Sequence, residues 1–323
     1  MLYYIRIIDF FLSLYLFKIT QIPPKERKTM DKSSLYEKRR YGTYNFPLEF
    51  FETKNSGGQV YINLHWHRNI EILLIHSGTC TVTVNRTDFS AVPGDIFIIN
   101  QEALHRICSE DPELSYGAFI FPMTSLEFSA EDDANKNIRR LIEGRRMFPE
   151  YISADDSIAL ILRDILNSVL DAGAEKFSGY ELFIKSQLIR FVSELVRHGR
   201  LTEPSGLAAE NARQRSERLK HILSYINKNC SSGLTLETMA KEFHFSKKYF
   251  SKYFIAESGQ SFTEYLNCCR IEKACVLLKN TDYSVLDIAL ESGYGNISYF
   301  IRIFSSRMGC TPLKYRKKAK ENN

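Results

Sequence analysis

Residues 236–265 read LETMAKEFHFSKKYFSKYFIAESGQSFTEY, and residues 285–315 read VLDIALESGYGNISYFIRIFSSRMGCTPLKY. The second passage repeats the first. Ser246, Tyr249, Phe250, Phe254, Gly259, Ser261 and Tyr265 recur as Asn296, Tyr299, Phe300, Phe304, Gly309, Thr311 and Tyr315, at an offset of about 50 residues. Ahead of Ser246 the offset is one residue shorter, which places an insertion in the second turn, where a loop tolerates it. Each copy reads as helix, turn, helix. Ser246 and Asn296 stand where an N-cap oxygen would satisfy a free backbone N–H. The aromatics that follow recur at helical spacing and define a core face. Lys248, Ser251 and Lys252 fall opposite that face in the first copy, and Ser298, Ile301 and Arg302 in the second. A short helix with one aromatic face and one small or basic face suits the second helix of a helix-turn-helix, entering a DNA major groove. One copy would read equally well as part of a helical bundle with a solvated face; two copies in register favour DNA.

This segment resembles the DNA-binding domain of the AraC/XylS family of transcription regulators. The resemblance rests on Ala240, Phe250, Phe254, Gly259, Phe262, Tyr265, Leu266, Arg270, Ile271, Ala274, Leu277 and Leu278. It continues through Ile288, Ala289, Gly293, Tyr294, Tyr299, Phe300, Arg302, Phe304, Gly309, Pro312, Tyr315 and Arg316. It implies an all-α domain over 216–319, with a long helix over 263–279 joining two helix-turn-helix units so that both read one face of a duplex, about 34 Å apart. By the family's helix positions, Lys248, Ser251, Lys252, Ile297, Ser298 and Arg302 face bases. Lys241, Lys247, Lys317 and Lys318 are expected at phosphates. The implied partners are double-stranded DNA with a direct-repeat or two-half-site operator, RNA polymerase, and a small-molecule effector.

Charge distribution agrees with this division. Residues 216–323 carry 17 basic and 10 acidic side chains, a net +7, beside −2 for the rest of a 323-residue chain whose total is +5. The seven cysteines (80, 108, 230, 268, 269, 275 and 310) form no C-x-x-C pair, so they read as reduced thiols in a cytoplasmic protein. Residues 1–29 begin with an apolar segment interrupted by Arg6, Asp9 and Lys18. Its longest uninterrupted run, Phe10–Phe17, falls short of the ~20 residues a membrane span requires. Translation is expected to start at Met30, leaving 1–29 as a non-native extension.

Residues 40–125 read as short strands punctuated by Gly78, Asn85 and Pro93-Gly94-Asp95, the pattern of a small barrel or jelly roll. Within it, His65-Trp66-His67, Glu71 and Gly78 resemble the first cupin motif. The second motif of metal-binding cupins would place a histidine where Phe97 stands, so no metal or other cofactor is expected. His65, His67, Glu71 and the later His105 are taken as walls of an effector pocket, with Trp66 turned either to it or to core or interface packing. Aromatic, His and Glu walls suit a sugar, and also other polar metabolites.

Apolar residues at helical spacing over 158–170 and 182–196 give a helical hairpin within 136–199, which in AraC-like regulators often pairs subunits. Residues 200–215 read as a linker. The expected fold class is α+β in two domains: a cupin-like β jelly roll followed by a helical hairpin, then the all-α domain. The function expected is a non-enzymatic, ligand-responsive activator of carbohydrate or related genes, acting as a homodimer with no membrane partner. A metal-dependent cupin enzyme fused to a DNA-binding domain is the alternative.

Overall fold

The computed structural model describes residues 41–321 except 44, 56–59, 130, 131 and 205, so the expectation for 1–29 lies outside the described residues. Among the described residues, nine strands build the N-terminal unit: β1 Glu49–Lys54, β2 Val60–His65, β3 Ile70–Ser77, β4 Cys80–Val84, β5 Thr87–Ala91, β6 Ile96–Ile99, β7 His105–Ser109, β8 Ser115–Phe121 and β9 Tyr151–Ile152. They form two antiparallel sheets, β1-β8-β3-β6-β9 and β2-β7-β4-β5. Between the sheets lie Val60, Ile62, Leu73, Ile75, Val82, Phe97, Ile99, Ile107 and Tyr116.

The five-stranded sheet is covered on its second face too, and that explains its continuous apolar runs. Ile70, Ile72 and Leu74 alternate with Leu73 and Ile75, so β3 feeds two cores with one sequence. The second core is completed by helix α1 (Asp133–Ile142), α2 (Ala159–Glu175) and α3 (Tyr180–Arg197). Gly173 lies so close to β1 that a Cβ there would run into the ring of Phe50, which seats the α2/α3 hairpin tightly on the sheet.

Three expectations are revised. Helix α1, capped by Asp132, ends at Ile142, and left-handed Gly144 follows it closely. The chain then returns to the sheet as β9, so the sensor unit continues past residue 125. A two-residue strand has no periodicity to read; buried Asp95 holds its neighbourhood instead, accepting from Val92 N at 2.9 Å, Ala154 N at 2.8 Å and Tyr151 OH at 3.3 Å. Leu182, placed in the apolar stripe of α3, is 75% exposed. The linker, finally, is largely helical. Helix α4 runs Gly206–Asn229, beginning within the segment read as a linker, where Glu210, Ala212, Arg213 and Gln214 are good helix formers that bury nothing and show no apolar stripe.

The C-terminal unit continues with α5 (Leu236–Glu242), α6 (Lys247–Ser258), α7 (Phe262–Asn280), α8 (Val285–Glu291), α9 (Ile297–Met308) and α10 (Pro312–Glu321). The caps fall where expected: Ser246 accepts from Tyr249 N and Asn296 from Tyr299 N, and left-handed Gly259 and Gly309 end α6 and α9. The turn between α8 and α9 is one residue longer than that between α5 and α6. Phe250 and Phe254 anchor one core, Phe300 and Phe304 the other.

Helix α7, about 28 Å long at 1.5 Å per residue, fastens the two cores together. Arg270 donates to the carbonyls of Cys230 (2.8 Å) and Ser232 (3.1 Å) at the end of α4, and its guanidinium lies 5.5 Å from the Tyr294 ring of the second copy. Asn267 Nδ2 donates to Tyr299 OH at 3.0 Å. Gly293, at φ +92°, lets the second turn lie against the first unit: a Cβ would come within 2.8 Å of Cys230 O and Ser231 Cα. Gly293→Ala should therefore lower stability by at least the roughly 1–2 kcal/mol that a left-handed backbone costs an L-residue. Urea unfolding of the variant measures this; an unchanged midpoint would show that the two units do not touch at this turn.

Candidate nucleic-acid interface and sensor site

The candidate effector site forms where three strands meet. His65 ends β2 and pairs directly across the sheet with His105, the first residue of β7. His67 lies just beyond β2, and Glu71 stands on β3. Ligand atoms of all four side chains lie within 4.8 Å of one another. Glu71 Oε2 lies 3.0 Å from His67 Nε2 and 3.1 Å from His105 Nε2, and the rings of His65 and His105 are 4.0 Å apart. Burial raises the pKa of the Glu71 carboxyl, but the hydrogen bonds from His105 and His67 outweigh it and hold the group well below the usual carboxylate range. Burial, with His105 and His67 beside it, pushes the His65 imidazole well below its ordinary pKa.

All four sequence-predicted residues are thus brought together. Cross-strand register, which pairs His65 with His105, places His105 at the centre. Three imidazoles and one carboxylate are a donor set that could hold a metal ion. Trp66 does not join them. It packs instead against apolar residues of the C-terminal unit, under the Lys220 ammonium at 4.6 Å.

On the C-terminal unit, Lys248, Lys252, Ile297, Ser298 and Arg302 are exposed and Ser251 is half-buried, on α6 and α9 opposite the buried phenylalanines. Arg302 lies 5.2 Å from the Tyr299 ring. Lys241, Lys247 and Lys317 are exposed and Lys318 is half-buried. Tyr249, 56% exposed on the outer side of α6, joins this surface. All seven cysteines are free thiols, and among the described residues no helix is long and apolar enough to cross a membrane.

Comparison with known proteins bears on both sites. Residues 47–192 match the AraC-like ligand binding domain, and residues 239–318 match a helix-turn-helix domain. The chain belongs to the AraC family of transcription regulators. It is 26% identical over 286 residues to the uncharacterized HTH-type transcriptional regulator YdeC of Bacillus subtilis, covering 88% of this chain and 96% of that one. It is 35% identical over 106 residues to the regulatory protein PocR of Salmonella typhimurium, covering 33% of this chain and 35% of that one. Among solved structures, the C-terminal domain of AraT, a response regulator from Geobacillus stearothermophilus, matches with 37% identity and a TM-score of 0.30, over 31% of this chain and 84% of that one. This protein is accordingly a DNA-binding transcription regulator with a ligand-binding domain.

In this AraC-family regulator the sensor site and the DNA-binding unit are joined through the same strands. The β2–β7 register shifts between Ile62 and His65. Ile62 therefore points into the sandwich, whereas Leu64 enters the core formed by Leu219, Ile222, Leu223 and Phe250. Leu104, next to His105, enters the same core. Tyr61 touches both helix-turn-helix copies: its OH donates to Gln260 Oε1 at 2.8 Å, and the Arg307 guanidinium of α9 lies 4.9 Å from its ring. Arg86 donates to Ala256 O at 3.3 Å, and Lys220 lies 3.5 Å from Glu102. No sequence signal marked Tyr61, Leu64, Gln260 or Arg307, since each contact joins segments far apart in the chain.

Leu64 is fully buried, so Leu64→Ala should cost about 2–5 kcal/mol and loosen the seat under Trp66. Trp66 is the only tryptophan, and its emission should shift to the red. An unshifted spectrum together with an unchanged urea midpoint would mean that the two units are not seated on each other in solution.

Proposed function

We propose that this regulator binds a two-half-site or direct-repeat operator through α6 and α9 and is switched by an effector held among His65, His67, Glu71 and His105. The observation that carries the DNA reading is the repeated helix whose aromatic face is buried to zero exposure while its Lys/Ser or Ile/Ser/Arg face stands in solvent. Lys248, Ser251 and Lys252 face bases in one major-groove segment; Ile297, Ser298 and Arg302 face them in the next. Arg302 suits the O6/N7 edge of guanine, and Ile297 a thymine methyl. Lys241, Lys247, Lys317 and Lys318 meet phosphates.

An effector acts only through a difference in affinity between two states. The contact of Leu64 and Leu104 with the DNA-binding core supplies a route by which the sensor centre biases such states. We take the regulator to act in the cytoplasm, without enzymatic activity, as an activator that contacts RNA polymerase at carbohydrate or related metabolic genes. Pairing of two chains through the hairpin is consistent with Leu160 and Leu182, 67% and 75% exposed on α2 and α3.

Binding-site selection on random duplexes tests the reading, with candidate sugars present and absent. On the selected site, Arg302→Ala should cost about 1–3 kcal/mol and relax preference at one base pair, whereas Lys317→Ala should weaken all sequences alike and reduce the salt slope by about 1. If Arg302→Ala leaves both affinity and preference unchanged, α9 is not in the groove.

A further inference from the structure

Strand alternation defines an outer face on the four-stranded sheet. Ile62, Val82 and Ile107 line the sandwich, so their strand neighbours Tyr61, Thr83 and Arg106 point the other way. Register sets Arg106 beside Thr83, and Arg106 Nε donates to Thr83 Oγ1 at 2.8 Å, which fixes the guanidinium. Arg86 stands in the two-residue turn between β4 and β5. This face meets the C-terminal ends of both recognition helices. At the end of α6, Arg86 Nε donates to Ala256 O at 3.3 Å, and Arg86 Nη1 lies 3.6 Å from Glu257 Oε1. Arg106 Nη1 lies 3.5 Å from Gly259 O. The last carbonyls of a helix have no partner within it and carry the negative end of its dipole, so two sensor guanidiniums supply what α6 lacks. At the end of α9, the Arg307 guanidinium lies 4.9 Å from the Tyr61 ring, whose OH reaches Gln260, just past α6, at 2.8 Å.

The repeat makes these contacts equivalent. At the offset of 50 residues, Glu257 corresponds to Arg307. Opposite charges thus occupy one position of the repeated helix, and each meets a sensor group suited to its sign: a guanidinium for the carboxylate, an aromatic face for the cation. That position lies away from the groove face. Residues nine apart on an α-helix stand about half a circle apart around the axis and about 13.5 Å apart along it. Glu257 therefore points away from Lys248, and Arg307 from Ser298. Lys248, Lys252, Ser298 and Arg302 are all exposed while the sensor is seated.

We propose that Tyr61, Arg86 and Arg106 are positioning residues for DNA binding: the outer face of this sheet clamps α6 and α9 at one equivalent position and sets the half-site spacing they read. The seated form is then the DNA-competent one, because the grip falls on the side of each helix that the duplex does not use. The proposal rests on the reading of α6 and α9 as groove helices and adds what fixes their mutual orientation. Losing the clamp frees the ends of both helices at once, since Tyr61 spans them.

The test uses the full chain on duplexes carrying its selected half-sites at a series of spacings, each added base pair turning the second site by about 35°. Wild type should prefer one spacing. Arg86→Cys and Glu257→Cys, joined by a bismaleimide in a chain whose half-buried thiols are removed (Cys108→Ser, Cys310→Ser), hold the sensor seated. This linked chain should bind the preferred spacing at least as tightly as wild type. Tyr61→Ala combined with Arg86→Glu should release the sensor, read as a red shift of Trp66 emission. Affinity should then fall about tenfold, as when the binding-competent fraction drops from nearly all to a tenth, and the preference among spacings should flatten. Glu257→Arg added to Arg86→Glu should restore binding that Arg86→Glu alone weakens. Arg145→Glu, whose partner Glu143 also belongs to the sensor unit, controls for charge and should change nothing. If the linked chain does not fold, the released chain decides. A linked chain that no longer binds DNA shows that the seated sensor covers the groove face and overturns the proposal. So does a released chain that matches or exceeds wild type in affinity and spacing preference. In both cases wild type still selects its operator and the DNA reading stands; a wild type that selects no duplex takes down that reading and the clamp together.

Discussion

Residues two apart on a strand can serve cores on opposite faces of a sheet only if its alternation is broken, and β2 breaks it between Ile62 and His65. Side chains on a regular strand alternate with a period of two, so Ile62 and Leu64 would share a face. The bulge separates them. Ile62 stays between the sheets, Leu64 passes into the DNA-binding core, and His65 meets the sensor centre. Without that irregularity, either the sandwich would lose its lining or the DNA-binding unit would lose its seat. The same few residues therefore bear on folding, on the sensor centre and on the contact between units.

The C-terminal unit answers a different constraint. Two grooves on one duplex are a fixed distance apart, so two recognition helices act together only if their separation is fixed as well. A connecting helix alone would leave the second unit free to rotate about its end. Arg270 and Asn267 on α7 remove that freedom, each bonding or stacking across to the second copy, and Gly293 allows the backbones to come close enough for them to do so. A side chain at residue 293 would prop the turn away from Ser231, and Arg270 would lose the Tyr294 ring. Tyr61 then adds a contact from the sensor to each copy, through Gln260 and Arg307, so the arrangement of the two copies is tied to the docking of the sensor.

Local patterns were legible wherever one physical cause dominates. The N-caps Ser246 and Asn296, the aromatic anchors Phe250, Phe254, Phe300 and Phe304, and the longer second turn all depend on residues within a few positions of one another. The meeting of His65, His67, Glu71 and His105 was legible as a set of residue types assigned to one pocket, and register brings them together by pairing His65 with His105 across the sheet. What escaped was non-local or unpatterned. Helix α4 begins in polar residues that bury nothing, β9 is two residues long, and Leu182 kept the periodicity of a buried stripe while facing solvent. Tyr61 and Arg307 are 246 positions apart in sequence, and nothing in either neighbourhood announces the other.

The strength of the seat between units sets what an effector must do. Burying a leucine contributes about 1.5–3 kcal/mol, so Leu64 and Leu104 together hold the sensor down with a gross few kilocalories per mole, reduced by the entropy of ordering the contact. An equilibrium of that size is within reach of a single small ligand. Moving a population from 1:99 to 99:1 takes a preference of about 5.5 kcal/mol for one state, and a ligand with equal affinity for both moves nothing. The centre is placed to have such a preference, because it draws on β2, β3 and the start of β7 at once. Leu64 and Leu104 are the chain neighbours of His65 and His105, so the residues seated on the DNA-binding core stand immediately beside the cluster.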